Sequence, residues 1–219
     1  MMDGTRLTHW RTAAASALAA SYLARQDASH LLMVGAGALA PFLVRAHASV
    51  RPLRRITLWN HHRERAEKLA MSLEADGWHI TIADDLAAAA READIISCAT
   101  LSQLPIVSGQ WLKPGSHLDL VGAFNMLMRE CDDAAIIRAR VFVDTAAALS
   151  EGGDIAQAIH SGAIKADHVV ADLADLCAGR AQGRQTESEI TLFKSIGASI
   201  EDLAAAIQVW QRRAMATAA

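Results

Sequence analysis

The sequence has few of the residues that disulfide-bonded, zinc-binding or nucleic-acid-binding proteins depend on. Its three cysteines, Cys98, Cys131 and Cys177, are far apart and form no Cys-x-x-Cys pair. We therefore expect a reduced, cytoplasmic protein without structural zinc or any other metal site. The 21 lysines and arginines and the 24 aspartates and glutamates give a net charge of −3 and are scattered along the chain. This balance excludes the basic surface that a nucleic-acid partner requires.

The sequence also lacks a hydrophobic run long enough to cross a membrane. The longest run, residues 31–44, has 14 residues and contains two glycines and a proline, whereas a spanning helix needs about 20 apolar residues. A basic segment precedes an alanine-rich stretch, residues 12–24, in a pattern similar to a secretory signal. Asp3 lies in the part that would have to be basic, and alanine is a weak core for translocation. We therefore favour a soluble helix that is capped by Thr8.

Apolar residues, in contrast, are abundant. Hydrophobic residues make up 52% of the 219 residues and charged residues 21%, which excludes a disordered chain and provides for a large core. The length exceeds one typical domain of about 150 residues, so we expect one complete domain and a smaller part of a second. We find no internal repeat and no low-complexity linker.

From residue 30 onward, short apolar runs alternate with amphipathic stretches. The apolar runs predict strands over residues 31–34, 55–59, 79–82, 94–98, 117–121, 141–143 and 190–193. The stretches between and after them predict helices over residues 38–48, 63–75, 85–92, 133–138, 156–160 and 172–177. Such alternation is typical of an α/β fold with a doubly wound parallel sheet and helices on both faces.

The last predicted helix has a clear apolar face. Ile200, Leu203, Ile207 and Trp210 recur at helical spacing, with acidic residues at the start of the helix and arginines near its end. We expect this face to pack in a core rather than to form a ligand site.

A glycine-rich loop follows the first predicted strand. Residues 35–40 read Gly-Ala-Gly-Ala-Leu-Ala between a strand and a helix, and this context indicates dinucleotide binding. Gly35 permits the tight turn, Gly37 allows a pyrophosphate to approach the backbone, and Ala40 allows close helix packing. The free amides at the start of the helix would face the phosphate charge. The alternative interpretation is an ordinary glycine-rich turn.

The end of the second predicted strand indicates which dinucleotide is bound. NAD-binding proteins usually carry an acidic residue there, about 20 positions after the glycine loop, to hold the ribose hydroxyl. This chain has Asn60, followed by His61, His62, Arg63 and Arg65. These side chains would attract a 2′-phosphate, so we expect NADPH, with NADH as second choice. The alternative is that they are solvated residues at a helix start.

Several short segments together match one family in the order in which they occur. They are residues 11–17, 35–38, 115–117, 121–123, 129–132, 141–144, 153–154, 193–197 and 201–202. From about residue 2 to residue 210 the chain resembles the ornithine cyclodeaminase/mu-crystallin family. The resemblance implies a Rossmann domain that binds NAD(P)(H), beside a second domain that binds a small amino or imino acid.

The resemblance also implies a domain organisation. Residues 1–27 would form a bridging helix that belongs to the substrate domain, residues 28–196 the Rossmann domain, and residues 197–219 a helix that returns to the substrate domain. The family is homodimeric and its members reach roughly 300 residues or more. We therefore expect the start of the substrate domain, with the dimerising segment, to be absent from this sequence. We further expect the chain to bind nucleotide but to turn over poorly alone.

Individual site residues follow from the motifs and the resemblance. Arg11 resembles the family's arginine that grips the substrate carboxylate, and a bidentate pair of this kind orients a substrate for hydride transfer. We expect Phe124 and Ile196 to contact the substrate as well. The residues expected to bind the cofactor are Gly35, Ala36, Gly37, Ala38, Leu39, Asn60, His61, Arg63, Thr100, Val121, Gly122, Ala123 and Ser195.

The chain departs from the ornithine cyclodeaminases at Phe124, where they carry an aspartate that handles the substrate amino group. A phenyl ring neither accepts a proton nor pairs with an ammonium group. Met126 and Met128 also replace the usual proline and lysine. Family members with a similar Gly-Ala-Phe segment resemble reductases of cyclic ketimines such as pyrroline-2-carboxylate and piperideine-2-carboxylate. We therefore expect an oxidoreductase, an NADPH-dependent ketimine reductase that makes L-proline or L-pipecolate. The alternatives are an ornithine cyclodeaminase, which converts ornithine to proline and ammonia, and a nucleotide-binding protein without turnover.

Other polar residues are expected to have structural roles. We interpret the aspartate pairs at 84–85 and 132–133 as helix caps. Arg51, Arg54 and Arg55 are expected at a solvated edge and His117 in a packed position. Glu130 belongs to one of the family segments, and we favour a structural role for it over a catalytic one.

Overall fold

Eight parallel β-strands form one sheet in the computed structural model, which describes residues 2–217. The strands are β1 (His30–Val34), β2 (Arg55–Trp59), β3 (Ile80–Ile82), β4 (Ile95–Cys98), β5 (His117–Leu120), β6 (Ala139–Val143), β7 (Val169–Asp172) and β8 (Ile190–Lys194). The α-helices are α1 (Gly4–Leu23), α2 (Ala40–Val50), α3 (Arg63–Glu74), α4 (Leu86–Glu92), α5 (Asp133–Arg138), α6 (Gly153–His160), α7 (Leu173–Cys177) and α8 (Ser199–Thr217).

The strand order is β3-β2-β1-β4-β5-β8-β6-β7, and every pairing is parallel. The chain first builds outward from β1 to β3 and then returns to place β4 on the other side of β1. At such a reversal the connections leave in opposite directions, and a crevice opens at the carboxyl ends of the strands. The predicted doubly wound α/β fold is therefore confirmed.

Both faces of the sheet are buried, which explains why its strands have continuous apolar sequences. Leu31 and Met33 of β1 belong to one apolar cluster together with residues of α1, α2 and α3. Leu32 and Val34 point to the opposite face and belong to a second cluster with residues of α4, α5 and α6. Successive side chains of a strand alternate between faces, so both faces of β1 need apolar residues.

Strand β7 was not predicted: residues 169–171 carried no strand pattern, and Asp172 was placed at the start of the helix predicted over residues 172–177. This strand lies at the edge of the sheet beside β6, with mostly half-exposed residues. An edge strand that is only partly buried does not need a continuous apolar run, so its sequence signal is weak.

Helix α1 begins earlier than predicted. Asp3, rather than Thr8, is the N-cap: its Oδ1 accepts hydrogen bonds from the amides of Thr5 at 3.0 Å and Arg6 at 3.3 Å. The expectation for Thr8 was wrong because an N-cap must lie outside the helix, and Thr8 lies within it. Of the helices formed by residues 2–217, none combines the length and apolar character needed to cross a membrane.

Arg51 is buried, and the expectation of a solvated edge was wrong for it. Its Nη2 donates hydrogen bonds to the carbonyl oxygens of Ala20 at 2.8 Å, Ser21 at 2.9 Å and Ala24 at 2.8 Å, at the end of α1. The last carbonyls of a helix carry partial negative charge and lack partners within the helix. Arg51 therefore caps α1 from a distant part of the chain, whereas Arg54 is exposed as expected.

The apolar face of α8 is exposed, contrary to the core packing that its periodicity alone predicts. Ile200 is 71% exposed, Leu203 59%, Ile207 45% and Trp210 68%. The periodic pattern identified the amphipathic helix correctly. Burial of such a face depends on another element lying against it, which periodicity alone does not determine.

The first prediction concerns Arg51. We expect Arg51→Met to lower the free energy of unfolding by about 2–3 kcal/mol, because three buried carbonyl oxygens lose a charged donor. Urea denaturation followed by circular dichroism measures this change. Arg54→Met, an exposed change of the same chemistry, serves as the control and should change stability by less than about 0.5 kcal/mol. Equal effects of the two variants would contradict the capping role of Arg51.

Candidate functional site

The carboxyl ends of β1, β4, β5 and β8 open onto one cleft with a volume of about 480 Å³. The cleft lies where the strand order reverses, beside the first half of α1. It brings together ten of the sequence-predicted site residues. They are Arg11, Gly37, Ala38, Leu39, Thr100, Val121, Gly122, Phe124, Ser195 and Ile196.

The remaining predicted residues lie outside the lining of this cleft. Gly35 is buried at the start of the glycine loop, Ala36 follows it, and Ala123 is buried behind Gly122. Asn60 and the two basic residues that follow line a separate cavity of about 220 Å³ at the carboxyl end of β2.

The glycine loop between β1 and α2 leaves donors free. Gly35 has a φ of +104°, and a Cβ there would lie 2.6 Å from the carbonyl oxygen of Ala99, so only glycine fits. A Cβ at Gly37 would meet no atom within 4 Å. The amides of Gly37, Ala38 and Leu39 have no hydrogen-bond partner among residues 2–217. Three free amides at the start of an 11-residue helix form a site that attracts an anion.

Asn60 holds the glycine loop in place. Its Oδ1 accepts a hydrogen bond from the amide of Ala36 at 3.1 Å, and its Nδ2 donates to the carbonyl oxygen of His62 at 2.9 Å. Both polar groups of this side chain are therefore engaged within the protein. The contact links the end of β2 to the loop after β1, which the sequence pattern did not indicate.

Arg63 is exposed at the start of α3 and has acidic neighbours. Its Nε donates to Glu67 at 3.0 Å, and its Nη1 is paired with Asp84. Asp84 therefore forms an ion pair and does not cap a helix, which corrects the expectation for it. Asp85 does cap α4, since its Oδ1 accepts a hydrogen bond from the amide of Ala87 at 2.8 Å.

Glu130 is completely buried beneath the cleft and joins two of its loops. Its Oε1 accepts hydrogen bonds from the Thr100 amide at 2.6 Å and the Thr100 hydroxyl at 2.9 Å. Its Oε2 accepts from the amides of Gly122 at 2.7 Å and Ala123 at 3.3 Å. A Cβ at Gly122 would overlap the carbonyl oxygen of Thr100. The loops after β4 and β5 are thus in direct contact, with the carboxylate bound to both.

Two further buried charges surround Glu130. The Oδ1 of Asp154 accepts hydrogen bonds from the amides of Glu130 at 2.7 Å and Cys131 at 3.1 Å. The Oδ2 of Asp154 lies 3.1 Å from the Nζ of Lys194, and both side chains are fully buried. Burial raises the pKa of Glu130 to about 7, with Lys194 opposing the rise and Asp154 adding to it.

Arg11 reaches the cleft from α1 and forms ion pairs with two acidic residues of α8. Its Nη1 lies 3.0 Å from Oε2 of Glu201, and its Nε lies 3.2 Å from Oδ1 of Asp202. Nη2 has no hydrogen-bond partner in the described part of the chain. Burial raises the pKa of Glu201 and the charge of Asp144 raises it further, while Arg11 lowers it. The first turn of α8 therefore holds the guanidinium group at the cleft.

Asp144 fixes the turn after β8, and sequence reasoning missed this role. Its Oδ2 accepts hydrogen bonds from the Ser195 hydroxyl at 3.0 Å and from the amides of Ile196 at 2.7 Å and Gly197 at 2.6 Å. The only sequence signal was its place at the end of a predicted strand within a family segment. His117, in contrast, is packed as expected: it is fully buried, and burial lowers its pKa to about 3.

Phe124 lies at the mouth of the cleft with 48% of its surface exposed. The residues that line the cleft, all within the described part of the chain, include no aspartate or glutamate. The one charged group among them is the Arg11 guanidinium. The cleft can therefore bind anions and hold a carboxylate, but its lining offers no carboxylate base.

The second prediction concerns Gly122. We expect Gly122→Ala to lower the free energy of unfolding by about 1–3 kcal/mol, because the added Cβ forces the loops after β4 and β5 apart. Chemical denaturation measures the change. Gly4→Ala at the start of α1, where a Cβ meets no atom within 4 Å, should leave stability nearly unchanged. A Gly122 variant as stable as the Gly4 variant would rule out the close contact described here.

Comparison with known proteins identifies similar sequences over nearly the whole chain. Residues 1–216 match the model of the ornithine cyclodeaminase/mu-crystallin family. Protein SAR DEFICIENT 4 of Arabidopsis thaliana is 46% identical over 207 residues, which cover 92% of this chain and 64% of the relative. Delta(1)-pyrroline-2-carboxylate reductase of Paracoccus denitrificans is 43% identical over 93% of this chain and 65% of the relative. The chain thus spans slightly less than two thirds of the length of these relatives.

A solved structure resembles the fold closely. It is the Delta(1)-pyrroline-2-carboxylate reductase of Thermococcus litoralis in complex with NADH and L-proline, with a TM-score of 0.95 and 33% sequence identity. The match covers 99% of this chain and 68% of that one.

Proposed function

The chain belongs to the ornithine cyclodeaminase/mu-crystallin family, and we propose on this basis that it binds a nicotinamide dinucleotide in the cleft. The free amides of Gly37, Ala38 and Leu39 fit the pyrophosphate, because they lie at a helix N-terminus and have no acceptor among residues 2–217. The loops that carry Thr100 and Gly122 would contact the nicotinamide end. The family relative from Thermococcus litoralis, whose structure holds NADH and L-proline, supports this choice of ligand.

We further propose that the reaction is the reduction of a cyclic ketimine carboxylate, such as pyrroline-2-carboxylate or piperideine-2-carboxylate, to L-proline or L-pipecolate. The bound dinucleotide would supply a hydride to the imine carbon. The observation that carries this proposal is Phe124 at the mouth of a cleft whose lining has no carboxylate. A protonated imine is already electrophilic, so its reduction needs alignment and exclusion of water rather than a carboxylate base.

Arg11 would bind the substrate carboxylate in this reaction. Nη2 is its available donor, and a substrate that needs a bidentate contact must displace Glu201 or Asp202 from the guanidinium group. Phe124 and Ile196 would provide the apolar wall that faces the ring. Arg11 would thereby fix the imine carbon relative to the nicotinamide, and the phenyl ring would limit the access of water.

One observation favours a second candidate, a nucleotide-binding protein without turnover. Arg11 is paired with Glu201 and Asp202. Because a substrate carboxylate has to compete with these two protein carboxylates, this guanidinium group binds such a substrate weakly. Ornithine cyclodeamination is less well supported, because Phe124 stands where that reaction needs a carboxylate. A panel of substrates distinguishes the three functions.

We also propose NADPH as the preferred cofactor and the domain division at residues 28 and 196. The cavity at the end of β2 is lined by His61 and Arg63, and position 60 carries no acidic side chain. A 2′-phosphate could compete with Asp84 for Arg63, since both of these side chains are exposed. Residues 28–196 contain all eight strands, whereas both α1 and α8 lie entirely outside that range.

The third prediction tests the reaction. The purified chain should oxidise NADPH slowly with one or both cyclic imines, and Arg11→Met should lower kcat/KM by a further factor of roughly 100, because a carboxylate in a desolvated cleft loses its charged partner. Arg6→Met on the exposed side of the same helix is the control and should retain activity. Absorbance at 340 nm measures the rate. Ammonia release from ornithine would instead establish cyclodeamination, and tight NADPH binding without turnover would favour the second candidate.

The fourth prediction tests the cofactor. The chain should bind NADPH more tightly than NADH, and Arg63→Ala should weaken NADPH binding by roughly tenfold while leaving NADH binding unchanged. Nicotinamide fluorescence measures both dissociation constants. Arg55→Ala removes an exposed arginine from the opposite end of β2 and should alter neither constant. Equal or tighter binding of NADH by the unmodified chain would refute the preference.

A further inference from the structure

A network of buried charges connects three of the strand ends that form the cleft. Glu130 binds the loops after β4 and β5, as described above. Its own amide is held by Asp154 of α6, and Asp154 contacts Lys194 at the end of β8. None of these three charged side chains lines the cleft, and the proposed reaction does not use them directly. All three are nevertheless fully buried directly behind its floor.

We propose that Glu130 is a positioning residue for the nucleotide: its ionised carboxylate holds the loops after β4 and β5 at the spacing that the nicotinamide end requires. The inference rests on the proposed binding of a nicotinamide dinucleotide. The carboxylate accepts four hydrogen bonds, two on each oxygen, from Thr100, Gly122 and Ala123. Residues on both loops line the cleft on its other side, so a shift of either loop changes the shape of the binding site.

The ionised form is the one that suits these donors. A carboxylate oxygen has two lone pairs and can accept from two donors, as each oxygen of Glu130 does here. Hydrogen bonds to a charged acceptor are roughly twice as strong as neutral ones. Protonation places an O–H group among three N–H donors and one hydroxyl, and it removes the charge. The two loops would then be held less firmly.

The surroundings of Glu130 place this change near neutral pH. Lys194 from β8 favours the ionised form, Asp154 from α6 disfavours it, and burial raises the pKa to about 7. On the β4 side, the nearby Cys98 thiol stays neutral, because burial raises its own pKa. We therefore expect nucleotide affinity to fall as the pH falls from 8 to 6.

Fold stability should respond to pH in the opposite direction. The folded-state pKa of Glu130 lies above the ordinary value of 4.5, so the contribution of this group to stability is greatest below pH 4.5 and is lost as the pH rises through about 7. A merely structural glutamate would change stability alone. A positioning glutamate changes affinity and stability with opposite signs, which makes the two roles distinguishable.

The fifth prediction uses Glu130→Gln, with Asp132→Asn as the matched control. Asp132 is a hydrogen-bonded carboxylate two residues away that caps α5 and does not contact the cleft. We expect the NADPH dissociation constant of the unmodified chain to rise roughly tenfold between pH 8 and pH 6. Glu130→Gln should bind about tenfold more weakly at pH 8 and show no such pH dependence. Asp132→Asn should keep the pH dependence of the unmodified chain.

A second measurement does not need the nucleotide. Amide hydrogen exchange of the unmodified chain should show protection of Thr100 and Gly122, corrected for intrinsic rates, that decreases below pH 7. The same pH dependence of affinity in Glu130→Gln, or amide protection that is independent of pH, would overturn the inference. Failure of the unmodified chain to bind NADPH or NADH would refute the proposed function, and the exchange data would still decide whether Glu130 holds the two loops.

Discussion

Parallel strands end at the same edge of a sheet, and the backbone N–H groups that follow them need acceptors when they are buried. In this protein buried carboxylates supply those acceptors. Glu130 serves the loops after β4 and β5, and Asp144 serves the turn after β8. At the end of β1 the amides of Gly37, Ala38 and Leu39 have no protein partner within the described residues. Free amides at a helix N-terminus would supply the donors for an anion bound at this point of the cleft.

Similar carboxylates titrate differently at the two edges of the sheet. Asp94 lies at the edge formed by the amino ends of the strands. It accepts hydrogen bonds from two backbone amides and lies 2.8 Å from the Nζ of Lys113. Burial raises the pKa of Asp94, but Lys113 and the amides outweigh it, so the net change is a decrease. Glu130 is more deeply buried, and there burial outweighs Lys194. The Asp94 carboxylate is therefore ionised at neutral pH, whereas the pKa of Glu130, behind the cleft, lies close to neutrality.

The chemistry that suits the cleft follows from what its lining provides. A guanidinium group, free amides and apolar side chains can hold two anions and an apolar ring between them. These groups are sufficient for the reduction of an imine that is already protonated, whereas deamination needs a carboxylate near the amine. The replacement of the cyclodeaminase aspartate by Phe124 could be recognised in the sequence. The pairing of Arg11 with α8 could not be recognised there, because Glu201 and Asp202 are about 190 positions away.

The α/β class, most of the strands, the glycine loop and ten of the residues that meet in the cleft could be predicted from the sequence. These features are encoded by neighbouring residues, through apolar periodicity and the conformational needs of short motifs. Three features became visible only in the folded chain: Arg51 caps α1, Asp144 and Glu130 hold the cleft loops, and the apolar face of α8 is exposed. Each of these features depends on which residues that are distant in the chain come into contact, and local sequence patterns do not determine such contacts.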